Sequence, residues 1–188
     1  MSSLNKLFQP GRIGKLELKN RIVMAAMGTG YCHYDGYVLD EYIAFMEERA
    51  RGGTGLLMTG VTRILSEVGM RPGSMGIYDD KLIPGLRRLT DAVHQHDAKI
   101  FMQLHHSGTR TSEETRAVTP SAPSAIVHFR TGVVPRALTL LEIEQLIKAF
   151  GEGARRAKGA GFDGVEVHGG HGYLICQFLS PRANRRDD

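Results

Sequence analysis

Hydrophobic residues change their spacing repeatedly along the chain, and each change marks a switch between strand and helix. Ile22, Val23, Met24, Ala25 and Ala26 form an unbroken apolar run, the pattern of a strand covered on both faces in a parallel sheet. Leu39, Tyr42, Ile43, Met46 and Ala50 then recur at helical intervals, with charged residues around the rest of the turn and Gly52-Gly53 behind them. This predicts a helix and its stop. Gly55 to Thr59 is the next strand. The unit repeats with Pro84 near a helix start, Ile83, Leu86, Leu89, Ala92 and Val93 on one face, and Lys99 to Leu104 as the following strand. A long irregular stretch from His105 to Pro135 precedes Thr139-Leu140-Leu141-Glu142, a capping box in which the threonine caps the helix and the glutamate bonds back. Ile143, Leu146, Ile147, Phe150, Ala154 and Ala157 give the third helix its apolar face, Gly159-Ala160-Gly161 ends it, and Asp163 to His168 reads as a fourth strand. Ahead of all this, Arg12 to Leu18 alternates loosely and predicts a short hairpin able to plug one end of a barrel.

Strands alternating with helices, without hairpin signals after Asn20, require parallel pairing and an α/β fold. Periodicity leaves two architectures open: a doubly wound open sheet, or a TIM (β/α)8 barrel of which four βα units plus the hairpin form the N-terminal half. A whole barrel needs eight units and roughly 250 residues, whereas this chain has 188. The domain expected is therefore a partial barrel over residues 1–188, stopping before a fifth strand, with its first and fourth strands as open edges.

Composition narrows the classes further. Hydrophobic content of 41% and charged content of 23% suit a globular domain with a real core. Net charge is +4, but basic residues are interspersed with acidic ones and form no like-charge block, so no nucleic-acid partner is expected. No apolar stretch reaches membrane-span length and the N-terminus lacks a signal-peptide pattern; no membrane association is expected. Cys32 and Cys176 stand alone, without metal-site spacing, which fits a reducing, cytoplasmic setting.

Strand ends and the loops after them carry the chemistry of such barrels. After the first strand, Ala26, Met27, Gly28 and Gly30 are small or backbone-accessible positions that let a flat ligand approach the main chain; glycines that merely serve a turn are an equal reading. Gly60 follows the second strand, and Gln103 on the third carries an amide able to donate and accept toward a heteroaromatic ring. After the fourth strand, His168, His171 and Tyr173 share one short loop. Two imidazoles can hydrogen-bond a carbonyl oxygen while a phenol delivers a proton to carbon. Polar residues of an exposed loop are the plainer reading. A zinc site is disfavoured because His168 and His171 lack further ligands at a recognisable spacing.

Leu7 to Pro10, Lys19 to Met24, Gly76 to Asp80, Gln103 to Gly108 and, most specifically, Gly161 to Leu174 continuing through Gln177 to Pro181 and Asn184 to Arg186 together resemble the NADH:flavin oxidoreductase, or old yellow enzyme, family along essentially the whole chain. Met24 to Gly30 is most similar to its 2,4-dienoyl-CoA reductase and enoate reductase branch. The resemblance implies an FMN-binding barrel and an ene-reductase type of oxidoreductase. Such an enzyme passes hydride from NAD(P)H through FMN to the activated C=C bond of an α,β-unsaturated carbonyl or enoyl thioester. It implies that Ala26, Met27, Gly28, Gly60 and Gln103 contact FMN, that His168 and His171 bind the substrate oxygen, and that Tyr173 is the proton donor. Full chains of that branch add an iron-sulfur cluster and an FAD-type domain, neither of which has its motifs here. Two departures stand out: Gly28 replaces a side chain that often tunes the flavin, and Thr109-Arg110 replaces an arginine directly after Gly108. The family's phosphate-binding loops follow strands seven and eight, beyond these residues. The alternative is a non-catalytic fragment of such an enzyme, whose open edges lead it to homo-oligomerise.

Overall fold

In the computed structural model, which describes residues 3–66, 73–110, 119–129 and 132–188, an antiparallel hairpin opens the chain. Its strands β1 (Gly11–Ile13) and β2 (Leu16–Leu18) turn at Gly14, whose φ of +58° lies in the left-handed region. Strand β3 (Val23–Met24), helix α1 (Asp40–Arg51), strand β4 (Leu56–Arg63), helix α2 (Ile83–His94), strand β6 (Lys99–His105), helix α3 (Leu140–Gly159) and strand β9 (Gly164–Val167) then alternate as expected. The short β5 (Met75–Gly76) pairs in parallel with the far end of β4.

All pairings in the main sheet are parallel, and its order is β3-β4-β6-β9. Strands therefore follow one another in space as they do in sequence, with α1 packed on α2 and α2 on α3 along one face. A doubly wound sheet would reverse its order and place helices on both faces. The sequential order with helices on one side is the wall of a barrel, and it decides between the two architectures that periodicity left open.

Alternation along the strands sorts side chains to two faces. Leu57, Ile100, Met102 and Leu104 meet Met46, Leu86, Leu89, Val93 and Ala157 from the helices in the main core. On the opposite, inner face, Leu56 and Met58 of β4 pack with Phe101 of β6 against Leu16 and Leu18 of the hairpin. The hairpin thus plugs the end of the barrel wall away from the loops that follow the strands. Asn20 secures that plug: its Nδ2 donates to the Gly53 carbonyl at 2.7 Å, and its Oδ1 accepts from the Ile22 N–H at 3.0 Å.

The capping box forms in both directions. Thr139 Oγ1 accepts from the Glu142 N–H and the Glu142 carboxylate accepts from the Thr139 N–H, while Arg136 pairs with the same carboxylate. The Arg136 guanidinium first, and then the Thr139 donors, hold the Glu142 carboxyl down to about 2.

Four features differ from expectation. Strand β3 is shorter than the apolar run over 22–26, because among the described residues only β4 lies beside it and their pairing ends at Met24. Strand β4 is longer, running through Arg63 past an irregularity between Met58 and Val61. The stretch over 105–135, of which residues 111–118 and 130–131 lie outside the described residues, contains β7 (Ser121–Ala122), which pairs in parallel with β8 (Arg136–Ala137). Finally, a short helix α4 (Leu174–Leu179) follows β9.

Candidate active site

The inner face carries one polar row at the loop end of the sheet. Gln103 and His105 lie two residues apart on β6, and register pairs Gln103 with Glu166 of β9 and with Val61 of β4. The irregularity in β4 matters here. It shifts the alternation so that Val61, rather than Gly60, stands beside Gln103.

Gly60 itself sits where β4 meets the exit of β3. A Cβ at this position would run into the Met27 carbonyl and lie 3.2 Å from the Gly28 Cα, so a bare backbone is required for Met27 and Gly28 to cross it. The Gly60 N–H donates to the buried Tyr42 hydroxyl at 3.1 Å, and burial pushes the Tyr42 phenol well above its ordinary value. Beyond this crossing, Gly28 and Gly30 face open space, with nothing within 4 Å of where a Cβ would stand. Met27 is 55% exposed. Met27 and Gly28 are thus exposed, whereas Ala26 is half-buried against the cluster of Leu18, Leu56 and Met58.

Gln103 is buried, and its main chain is fixed by its N–H donating to Thr59 Oγ1 at 3.1 Å. Its Nε2 donates to Glu166 Oε1 at 2.5 Å.

His168, His171 and Tyr173 do come together, and a further histidine joins them. The His168 ring centroid lies 5.2 Å from His171, 4.9 Å from Tyr173 and 5.1 Å from His105, and His105 meets Tyr173 edge-on at 4.4 Å. His168 Nδ1 accepts from the Gly170 N–H at 3.3 Å, which puts its own proton on Nε2, 3.5 Å from His171 Nδ1. Burial and then the neighbouring His171 lower the His168 pKa, which favours its uncharged form. His171 adopts φ +58°, a strained conformation for a side-chain-bearing residue, and Arg110 pins its carbonyl at 2.5 Å. The same guanidinium stands 4.9 Å from the Tyr173 ring centroid. The displaced arginine of the sequence thus reaches the site from one position later.

Behind the cluster, Gln177 ties the exits of β6 and β9. Its Nε2 donates to Thr109 Oγ1 at 2.9 Å and to the Gly172 carbonyl at 2.7 Å, and its Oε1 accepts from the Thr109 N–H at 3.3 Å. Gly108, at φ +60°, passes so close that a Cβ would strike the Gln177 amide. Sequence reading missed His105, Val61, Glu166 and Gln177 as neighbours in this cluster, and it named Arg110 only as a displaced arginine. The spacing of Gln103 and His105 on one strand face was a usable signal for one of them; the others depend on register and loop packing. Among the described residues no group of three or more His, Cys, Asp or Glu side chains is placed to hold a metal ion.

Residues 6–188 match the family model described as the NADH:flavin oxidoreductase / NADH oxidase family. The chain belongs to that family. It is 45% identical over 190 residues to the NADH oxidase of Thermoanaerobacter brockii, covering all of this chain and 29% of that protein. Among solved structures, the old yellow enzyme homologue of Zymomonas mobilis superposes with a TM-score of 0.85 at 35% identity, covering 97% of this chain and 54% of that one. A 2-naphthoyl-CoA reductase in complex with 2-naphthoyl-CoA gives a TM-score of 0.92 at 32% identity, covering 98% of this chain and 30% of that one. The sheet is thus the first part of an old yellow enzyme TIM barrel, and the chain spans between about a third and half of the family members it matches.

Proposed function

We propose that this family member serves an FMN-dependent oxidoreductase that uses NAD(P)H to reduce the activated C=C bond of an α,β-unsaturated carbonyl or enoyl thioester. The observation that carries this reading is the convergence of His168, His171 and Tyr173 at the mouth of β6 and β9, at the same loop end of the parallel sheet as the open backbone that follows β3. Ala26, Met27 and Gly28, the crossing at Gly60 and the amide of Gln103 would hold the flavin ring; the cradle left open at Gly28 and Gly30 fits a planar group. Bound there, FMN supplies hydride transfer between nicotinamide and substrate.

The residues of this chain then have separable tasks. A substrate carbonyl oxygen entering between the imidazoles takes the His168 Nε2–H, which otherwise faces His171 Nδ1 across a loose 3.5 Å. Hydrogen bonds to that oxygen withdraw electrons from the alkene, so the β-carbon accepts hydride and negative charge gathers on the oxygen and α-carbon. Tyr173, whose hydroxyl has no hydrogen-bond partner among the described residues, gives its proton to the α-carbon and regains one from solvent. A thioester substrate is in keeping with the 2-naphthoyl-CoA bound by one structural relative.

The test uses the longest natural chain carrying these residues, loaded with FMN under anaerobic conditions. Stopped-flow mixing with NADH or NADPH is expected to bleach the flavin, and 2-cyclohexenone or a crotonyl thioester to restore its colour with loss of the alkene. Bleaching without alkene-dependent recovery would overturn the ene-reductase reading.

A further inference from the structure

Glu166 is the one carboxylate on the inner polar row beside Gln103 among the described residues, and the sequence reading gave it no role. The two residues are direct register partners across β6 and β9, so their side chains leave the sheet on the same face at adjacent positions. Gln103 Nε2 donates to Glu166 Oε1 at 2.5 Å. An amide seen alone can be turned either way, since its oxygen and nitrogen have the same shape. A carboxylate removes that freedom, because it only accepts hydrogen bonds and must face the amide NH2. The Gln103 backbone is anchored independently by Thr59 Oγ1 at 3.1 Å, so the side chain starts from a fixed point. Its Oε1 is left with no hydrogen-bond partner among the described residues.

We infer that Glu166 is a positioning residue for Gln103: it holds the amide NH2 and thereby makes Oε1, a hydrogen-bond acceptor, the group offered to the ligand. This rests on the flavin reading above and adds a specificity rule to it. The ligand must present an N–H donor at this point, which the imide N–H of an isoalloxazine does and an N-methylated imide does not. A charge-assisted partner that orients an amide in this way is the arrangement expected of a site organised before its ligand arrives.

Two measurements on the intact protein separate this inference from the flavin reading. The first needs no cofactor: in 15N-edited NMR, the two Nε2 protons of Gln103 should be widely split in the unmodified protein. They should collapse toward free-amide positions in Glu166→Leu, and stay largely split in Glu166→Gln, whose carbonyl can still accept. Unchanged Gln103 signals in Glu166→Leu would overturn the inference whatever the protein binds. The second is fluorescence titration with FMN and 3-methyl-FMN. One well-made hydrogen bond corresponds to about a tenfold preference for FMN, which Gln103→Leu should abolish, Glu166→Leu should reduce together with FMN affinity, and Glu166→Gln should largely restore. Equal binding of both flavins by the unmodified protein overturns the acceptor assignment, and failure to bind either sinks the flavin reading while the NMR result still decides the role of Glu166.

Discussion

At the scale of single residues, the proposed function assigns the histidines and Tyr173 separate tasks, neutral hydrogen-bond donor and proton source. Burial lowers the His105 imidazole to about 3, with His168 and His106 adding to the effect, and burial alone lowers His106 to about 4. Both rings are therefore uncharged near neutrality, and the polar cluster accumulates no positive charge from them. The same shifts make stability depend on pH. An unfolded histidine begins to bind a proton near its ordinary 6.5, whereas these folded ones do not until about 3 and 4, so the unfolded state gains protons first. Stability is present above about pH 6.5 and is lost as pH falls toward 4. Replacing His105 with Phe, which keeps a ring against Tyr173, should flatten this acid limb in urea unfolding curves recorded between about pH 7 and 4; an unaltered slope would show that His105 is solvated. Tyr173→Phe addresses the other task. With a flavin-loaded natural chain it should slow alkene reduction by about 10²- to 10⁴-fold, the usual worth of a general acid, and leave flavin reduction by nicotinamide nearly unchanged. Equal losses in both half-reactions would remove Tyr173 from the role of proton donor.

At the scale of elements, the crossing of β4 by the β3 exit is the feature on which the candidate cofactor cradle depends. Gly60→Ala would place a methyl group against the Met27 carbonyl, and overpacking of this kind costs roughly 1–3 kcal/mol. Gly28→Ala points into open space and should leave stability almost unchanged while weakening flavin binding. Thermal unfolding should therefore show a fall of several degrees for the first variant and little for the second, and a reversed order would refute the packing account. The helices, the hairpin and the capping box were legible in the sequence because each is written in contacts a few residues apart: Leu86, Leu89 and Val93 declare a helix face without reference to the rest of the chain. The irregularity between Met58 and Val61 was not legible, since it exists only in relation to β6, and with it went the assignment of Val61 to the row beside Gln103. Helix α4 is too short for periodicity to reveal. Its Gln177 acquires meaning only when Thr109 and Gly172 arrive beside it from opposite sides. His168, His171 and Tyr173 were legible as a group because one short loop carries all three, whereas His105 enters from the neighbouring strand.

At the scale of the whole molecule, the sheet is complete in its middle and open at its sides. Strands β4 and β6 have neighbours on both sides, but among the described residues β3 pairs only with β4 and β9 only with β6. The open strands carry exposed apolar residues, Val23 at 49% and Val167 at 51%, and the start of α3 adds Leu140 at 57%, Leu141 at 64% and Ile147 at 67%. Unpaired strand edges flanked by apolar side chains seek another strand. In the old yellow enzyme barrel the remaining wall meets these edges, and the chain covers only 54% of the Zymomonas mobilis structure. Handled as a separate 188-residue species, it should therefore self-associate in a concentration-dependent way, with copies contributing edge strands to one another. Sedimentation velocity over a range from about one to one hundred micromolar should show the shift, and Val23→Lys with Val167→Lys should move it toward monomer, since a lysine on an edge must keep its charge in water and opposes pairing. The hairpin end offers an internal control: Leu16 and Leu18 already pack on Leu56, Met58 and Phe101, so a polar change at exposed Ile13 should leave association untouched. A monodisperse monomer at the highest concentration would mean that four strands, three long helices and the hairpin plug close their own core, and that the exposed valines need no partner.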